Sequence, residues 1–106
     1  MTVTKIDDFQ SFAEVIASTE RVLVKFEADW CMPCKAMASV VEEIANQHPD
    51  FKVVAVNVDG EGMEEALQTY EVRAVPTFVH VKQGNAVRSD SGTLSKAELT
   101  SLLTDV

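Results

Sequence analysis

Ala28-Asp29-Trp30-Cys31-Met32-Pro33-Cys34-Lys35 is the stretch from which the rest of the chain is read. It holds both cysteines of the 106-residue sequence, three positions apart. They stand where a β-branched and aromatic run, Arg21 to Ala28, gives way to a helical pattern. Residues three apart lie on the same side of a helical turn, so the two thiols can close a disulfide or hold a metal. Cys31 falls at the helix start, where unpaired N–H groups and the helix dipole favour a thiolate. It is therefore the expected nucleophile. Cys34, one turn in and expected to be less exposed, is the expected resolving thiol, attacking the mixed disulfide on Cys31. Pro33 fits a first turn, where its missing N–H costs nothing, and Lys35 adds positive charge nearby. Structural zinc usually takes four protein ligands. Here there is one CxxC, with His48 and His80 far from it in sequence. A zinc site within one chain is disfavoured, and a metal or cluster shared between two chains stays open. No cofactor is expected.

Outward from this stretch the elements alternate. Val3 to Ile6 reads as a short strand. Asp7, with Gln10 three residues on, reads as a capping box for a helix over about 8–17, in which Phe9, Phe12, Ala13 and Ile16 follow helical spacing. After the cysteines, Met37, Val40, Val41 and Ile44 form one apolar stripe in a helix running to about His48, where Pro49-Asp50 breaks it. Phe51 to Val58 is nearly continuous in apolar residues, as in a strand covered on both faces. Gly60-Glu61-Gly62 reads as a turn and Met63 to Tyr70 as a short helix. Thr77 to Lys82 and Ala86 to Ser89 read as a hairpin around Gly84-Asn85. Ser95 with Glu98 is a capping box, Leu94 with Leu99 a hydrophobic staple, and Leu99, Leu102, Leu103 and Val106 the stripe of a last helix. The order β-α-β-α-β-α-β-β-α gives an α/β domain spanning 1–106. Its mixed five-stranded sheet should have three parallel strands, an antiparallel hairpin, and helices on both faces.

Hydrophobic residues make up 46% of the chain, enough for a core, and the net charge is −8. That charge argues against nucleic acid and anionic membranes as partners. No apolar run reaches membrane-spanning length, and the first residues lack a basic segment followed by an apolar one. A cytoplasmic monomer whose CxxC is redox-active or metal-binding is expected. Trp30 can shape a flat apolar docking surface beside the cysteines or fill a strand end. Pro76 opens a strand. X–Pro bonds alone go cis at appreciable frequency, and a cis bond would leave the Val75 backbone open to a substrate peptide. From the residues alone a trans bond is expected.

The motifs together resemble the thioredoxin family over nearly the whole chain. The carriers are Val22-Leu23-Val24 before Phe26, Ala28-Asp29-Trp30-Cys31-x-Pro33-Cys34-Lys35, Val56-Asn57-Val58-Asp59, Val72-Arg73-Ala74-Val75-Pro76-Thr77, Lys82-Gln83-Gly84, and Gly92 before Leu94-Ser95-Lys96. The resemblance implies the thioredoxin fold with Pro76 cis beside the cysteines. It implies reduction of protein disulfides, with electrons from a thioredoxin reductase. It implies substrate contact at Trp30, Met32, Pro33, Val75, Pro76 and Gly92, and a hydrogen bond from the Trp30 indole to Asp59. A binding module of this fold, with incidental thiols, is the rival reading.

The chain also departs from the family pattern. Met32 replaces the usual glycine between the cysteines. Lys25 stands where a buried aspartate is usual, Glu27 where an aromatic is usual, and Ala55 where a lysine is frequent. The loop after Asp59 is about two residues longer than in typical bacterial members. Ser39 replaces a kinking proline, so a straighter second helix is expected. Side chains alternate across a strand, so Leu23, Lys25 and Glu27 share one face, and the resemblance implies that this face underlies the cysteine pair. A lone buried ammonium is costly, so Lys25 is expected to pair with Glu27 or another acid near Cys34 and to tune proton handling there.

Overall fold

A computed structural model describes residues 3–104. The elements are β1 (Val3–Asp8), α1 (Phe9–Ser18), β2 (Arg21–Glu27), α2 (Met32–Ala36), α3 (Ala38–Gln47), β3 (Lys52–Glu61), α4 (Glu64–Thr69), β4 (Thr77–Lys82), β5 (Asn85–Ser91) and α5 (Lys96–Leu102). The five strands form one sheet in the order β1-β3-β2-β4-β5. β3 is parallel to β1 and β2, β4 is antiparallel to β2, and β5 is antiparallel to β4.

Alternation along the strands builds two cores. Val22, Val24, Phe26, Val54, Val56 and Val79 pack under α1 and α4 with Phe12 and Ala66. Phe12 meets Tyr70 edge-on at 5.8 Å and Phe26 at 5.9 Å between ring centroids. Burial pushes the Tyr70 phenol above its ordinary pKa. On the other face Leu23, Val53 and Phe78 pack with Val41 and Ile44 of α3 and Leu99 and Leu102 of α5. Leu103 is buried there too, while Val106 lies outside the described residues.

The capping box at Ser95 and Glu98 forms as read, with Ser95 Oγ accepting from Glu98 N–H and Glu98 Oε1 accepting from Ser95 N–H. Hydrogen bonding from the Ser95 backbone N–H, then from its side chain, holds the Glu98 carboxyl below its ordinary pKa. The α1 cap is Asp8, not Asp7: Asp8 Oδ1 accepts from Ser11 N–H at 2.7 Å, which lowers the Asp8 pKa. Asp7 remains in β1, where a register shift between Ile6 and Asp8 brings Asp8 opposite Glu61. β3 accordingly runs through Gly60 and turns only at Gly62, whose φ is 76°. A Cβ on Gly60 would collide with the Asp7 carbonyl, so glycine is what lets these two backbones approach.

The second helix is not continuous. It is interrupted at Met37, which belongs neither to α2 nor to α3. Ser39 indeed supplies no proline kink, but the Cys34 carbonyl also accepts from a side chain, Lys25 Nζ, at 2.8 Å. The Met37 N–H divides between the Pro33 and Cys34 carbonyls, both at 3.2 Å. A side chain inserted into the helical ladder is a known cause of a break.

Candidate active site

β2 ends at Glu27, and a turn closed by Cys31 N–H on the Ala28 carbonyl at 3.1 Å brings the chain to α2. Cys31 is the N-cap, with extended φ and ψ of −91° and 105°. Its Sγ accepts from Cys34 N–H at 3.1 Å. This cap position is usually filled by a hydroxyl or carboxylate oxygen; here it holds sulfur, so a donor is already aimed at a Cys31 thiolate. The two cysteines are joined as a disulfide, with Cα atoms 5.3 Å apart. Exposure does not separate them, because both are buried. Their difference is positional: Cys31 caps the helix and Cys34 lies within it.

Ala28, Val58 and Val75 pack against the pair. Trp30 before the pair and Met32 within it leave 67% and 69% of their surface exposed. Trp30 Nε1 donates to Asp59 Oδ2 at 2.8 Å. The Asp59 N–H in turn donates to Asn57 Oδ1 at 2.9 Å. The Trp30 ring is thus held from its polar end. The Val75–Pro76 bond is cis, as the family pattern implied and the residues alone did not. The Pro76 carbonyl accepts from Gly92 N–H at 2.9 Å, and Gly92 has φ 97°, which favours glycine. Thr77 Oγ1 donates to the Ala74 carbonyl at 2.6 Å, steadying the same loop. Beside Trp30 a groove of about 200 Å³ is lined by Val58, Leu67, Val72, Ala74 and Val75 among others. Val58 and Ala74 carry the family likeness but were not read as site residues, and neither were Leu67 and Val72. Val58 sits in an apolar run that reads as core, and Ala74 carries no chemical signal of its own.

Lys25 is 3% exposed and lies behind the cysteines rather than beside the groove. Its ammonium pairs with Glu27 Oε1 at 2.9 Å and donates to the Cys34 carbonyl at 2.8 Å. The ion pair matches the expected partner. The carbonyl contact went unforeseen, since it depends on how α2 sits over β2. Among the described residues, no group of three or more His, Cys, Asp or Glu is placed to hold a metal, and no helix is long and apolar enough to cross a membrane.

The thioredoxin family model matches residues 2–105. The chain belongs to the thioredoxin family. A thioredoxin of Acidithiobacillus ferridurans is 40% identical over 98 residues, covering 92% of this chain and 87% of that one. The solved structure of a mutant thioredoxin from Halobacterium salinarum superposes with TM-score 0.83 at 31% identity, covering 95% of this chain and 87% of that one. A bifunctional thioredoxin reductase/thioredoxin of Mycobacterium leprae is 36% identical over 102 residues, which are 96% of this chain and 22% of that protein. As in other thioredoxins, the joined CxxC pair makes this chain a thiol–disulfide oxidoreductase and a disulfide reductase.

Proposed function

We propose that the chain works as a single-domain monomer that reduces disulfides of protein substrates in the cytoplasm, with Cys31 as the attacking sulfur and Cys34 as the resolving one. The observation that carries this assignment is the Cys34 N–H aimed at Cys31 Sγ from the helix start. In the reduced chain the Cys31 thiolate attacks one sulfur of a substrate disulfide. A Cys31–substrate disulfide forms, and the other substrate sulfur leaves as a thiolate and takes up a proton. Cys34 then loses its proton and attacks Cys31 Sγ. The Cys31–Cys34 disulfide forms and the second substrate thiolate departs. Two electrons have passed from the pair to the substrate.

The substrate would lie on Trp30, Met32 and Pro33 on one side and on the Val75–Pro76 and Gly92 loops on the other. The exposed apolar side chains and the groove of about 200 Å³ support that placement. A thioredoxin reductase would return the pair to the dithiol. The Mycobacterium leprae relative, whose name joins the two activities in one chain, supports this partner. Reliance on such a reductase also favours a reducing compartment.

The test is insulin reduction by the purified chain, first with a dithiol and then with a thioredoxin reductase. Catalysis is expected in both. Cys34→Ser should accumulate a mixed disulfide on Cys31, and Cys31→Ser should be inert. Preferential alkylation of Cys34 in the reduced wild type would reverse the assignment of roles.

A further inference from the structure

We propose that Lys25 sets the redox balance of the cysteine pair: its buried ammonium favours the reduced, thiolate-bearing form over the disulfide. This rests on the reading of Cys31 and Cys34 given above and makes Lys25 a positioning and tuning residue, one that acts through the α2 turn.

The geometry places the charge. In β2 the Lys25 side chain is 4% exposed, and its two acceptors are Glu27 and the carbonyl of Cys34 itself. Lys5 of β1 and Ala55 of β3 stand in register with it across the sheet. The small Ala55 leaves a cavity of about 180 Å³ over which α3 lays Val41 and Glu42. The charged groups facing this space are thus Lys5 from β1, Lys25 and Glu27 from β2, and Glu42 from α3. β3 contributes none. Glu27 is the direct counter-charge, but its side chain is 21% exposed, so water screens the carboxylate more than the ammonium. The group touching the buried backbone of Cys34 is the cation. At the Cys34 backbone the charge in direct contact, and the less screened of the pair, is therefore the cation.

The sign of the effect follows. The disulfide is neutral. Adding two electrons and one proton gives one thiol and one thiolate. A cation near the pair stabilises that product and leaves the disulfide untouched. An opposite charge close to an ionising group commonly shifts its pKa by about a unit or more, and one unit is a tenfold change in the equilibrium.

The experiment is the equilibrium of the full chain with reduced and oxidised glutathione at pH 7, followed by thiol labelling, for wild type, Lys25→Gln and Lys25→Met. Lys25→Gln keeps a donor for the Cys34 carbonyl and removes the charge. Both variants are expected to move the equilibrium about tenfold toward the disulfide, which is about 30 mV for two electrons. The Cys31 thiolate absorbance should also appear at higher pH. An equilibrium within twofold of wild type in folded Lys25→Gln overturns the proposal. A shift in Lys25→Met with none in Lys25→Gln assigns the effect to the carbonyl tether and overturns it equally. Should Lys25→Met fail to fold, Lys25→Gln decides alone. Insulin reduction by the wild type tests the underlying reading separately, since it does not depend on the sign of this shift.

Discussion

Along β2, Val22, Val24 and Phe26 face α1 and α4, while Leu23, Lys25 and Glu27 face α3. The first set joins an apolar layer tied together by the Phe12, Phe26 and Tyr70 rings. The second set carries an ion pair. Further along the same face, on β4, lies His80, fully buried, with Nδ1 donating to the Leu102 carbonyl at 2.8 Å and Nε2 without a partner among the described residues. One strand thus serves two ends. Its α1 side is built for cohesion. Its α3 side gives up some cohesion to place a charge behind the cysteines. Buried ion pairs seldom add net stability compared with apolar residues of similar volume, which fits the tuning role proposed for Lys25.

The largest expected effect is on the cohesive side. Phe26→Ala should cost about 3–5 kcal/mol, the usual range for emptying a buried aromatic site, with the glutathione equilibrium of the surviving folded fraction unchanged. Urea denaturation checks the first and thiol labelling the second. A changed equilibrium would mean that the two faces are not separable. Met32→Gly should do the reverse: a melting temperature within a few degrees of wild type, with a shifted redox equilibrium. Met32 is largely exposed and lies inside the ring closed by the disulfide. An equilibrium equal to wild type would remove Met32 from the tuning residues. The smallest effect concerns the caps. Glu98 has a folded-state pKa below its ordinary value. Its stabilising contribution is therefore present above the ordinary carboxylate range and is lost as pH falls through the folded value. Glu98→Gln should lower the melting temperature slightly at pH 7, and the two proteins should converge in acid. A gap that persists at low pH would show that the capping bond does not depend on charge.

The sequence was most legible where one strand or one helix carries the whole signal. Alternation in β2 separates Val24 from Lys25 without reference to any other element. The Ser95 and Glu98 cap is complete within four residues. Legibility failed where a second element decides. Two adjacent aspartates, Asp7 and Asp8, offer the same chemistry to α1, and the pairing of β1 with β3 settles which one caps it. Met37 carries nothing that stops a helix. The interruption falls where Lys25, nine residues before Cys34 and on another element, bonds the Cys34 carbonyl. The cis bond before Pro76 and the link from Trp30 to Asp59 were read through the family likeness, because neither has a local pattern that demands it.

The interruption at Met37 also divides what would have been one rod into two pieces that need not open together. α3 is fastened by Val41, Ile44 and Ala45, whereas the five residues of α2 bury only Cys34. Elements with few buried contacts open at lower free energy than their neighbours. The amide protons of α2 should therefore trade with deuterated water sooner than those of α3. Cleaving the sulfur–sulfur bond should widen that gap, leaving α3 as the still floor over which the cysteine turn moves.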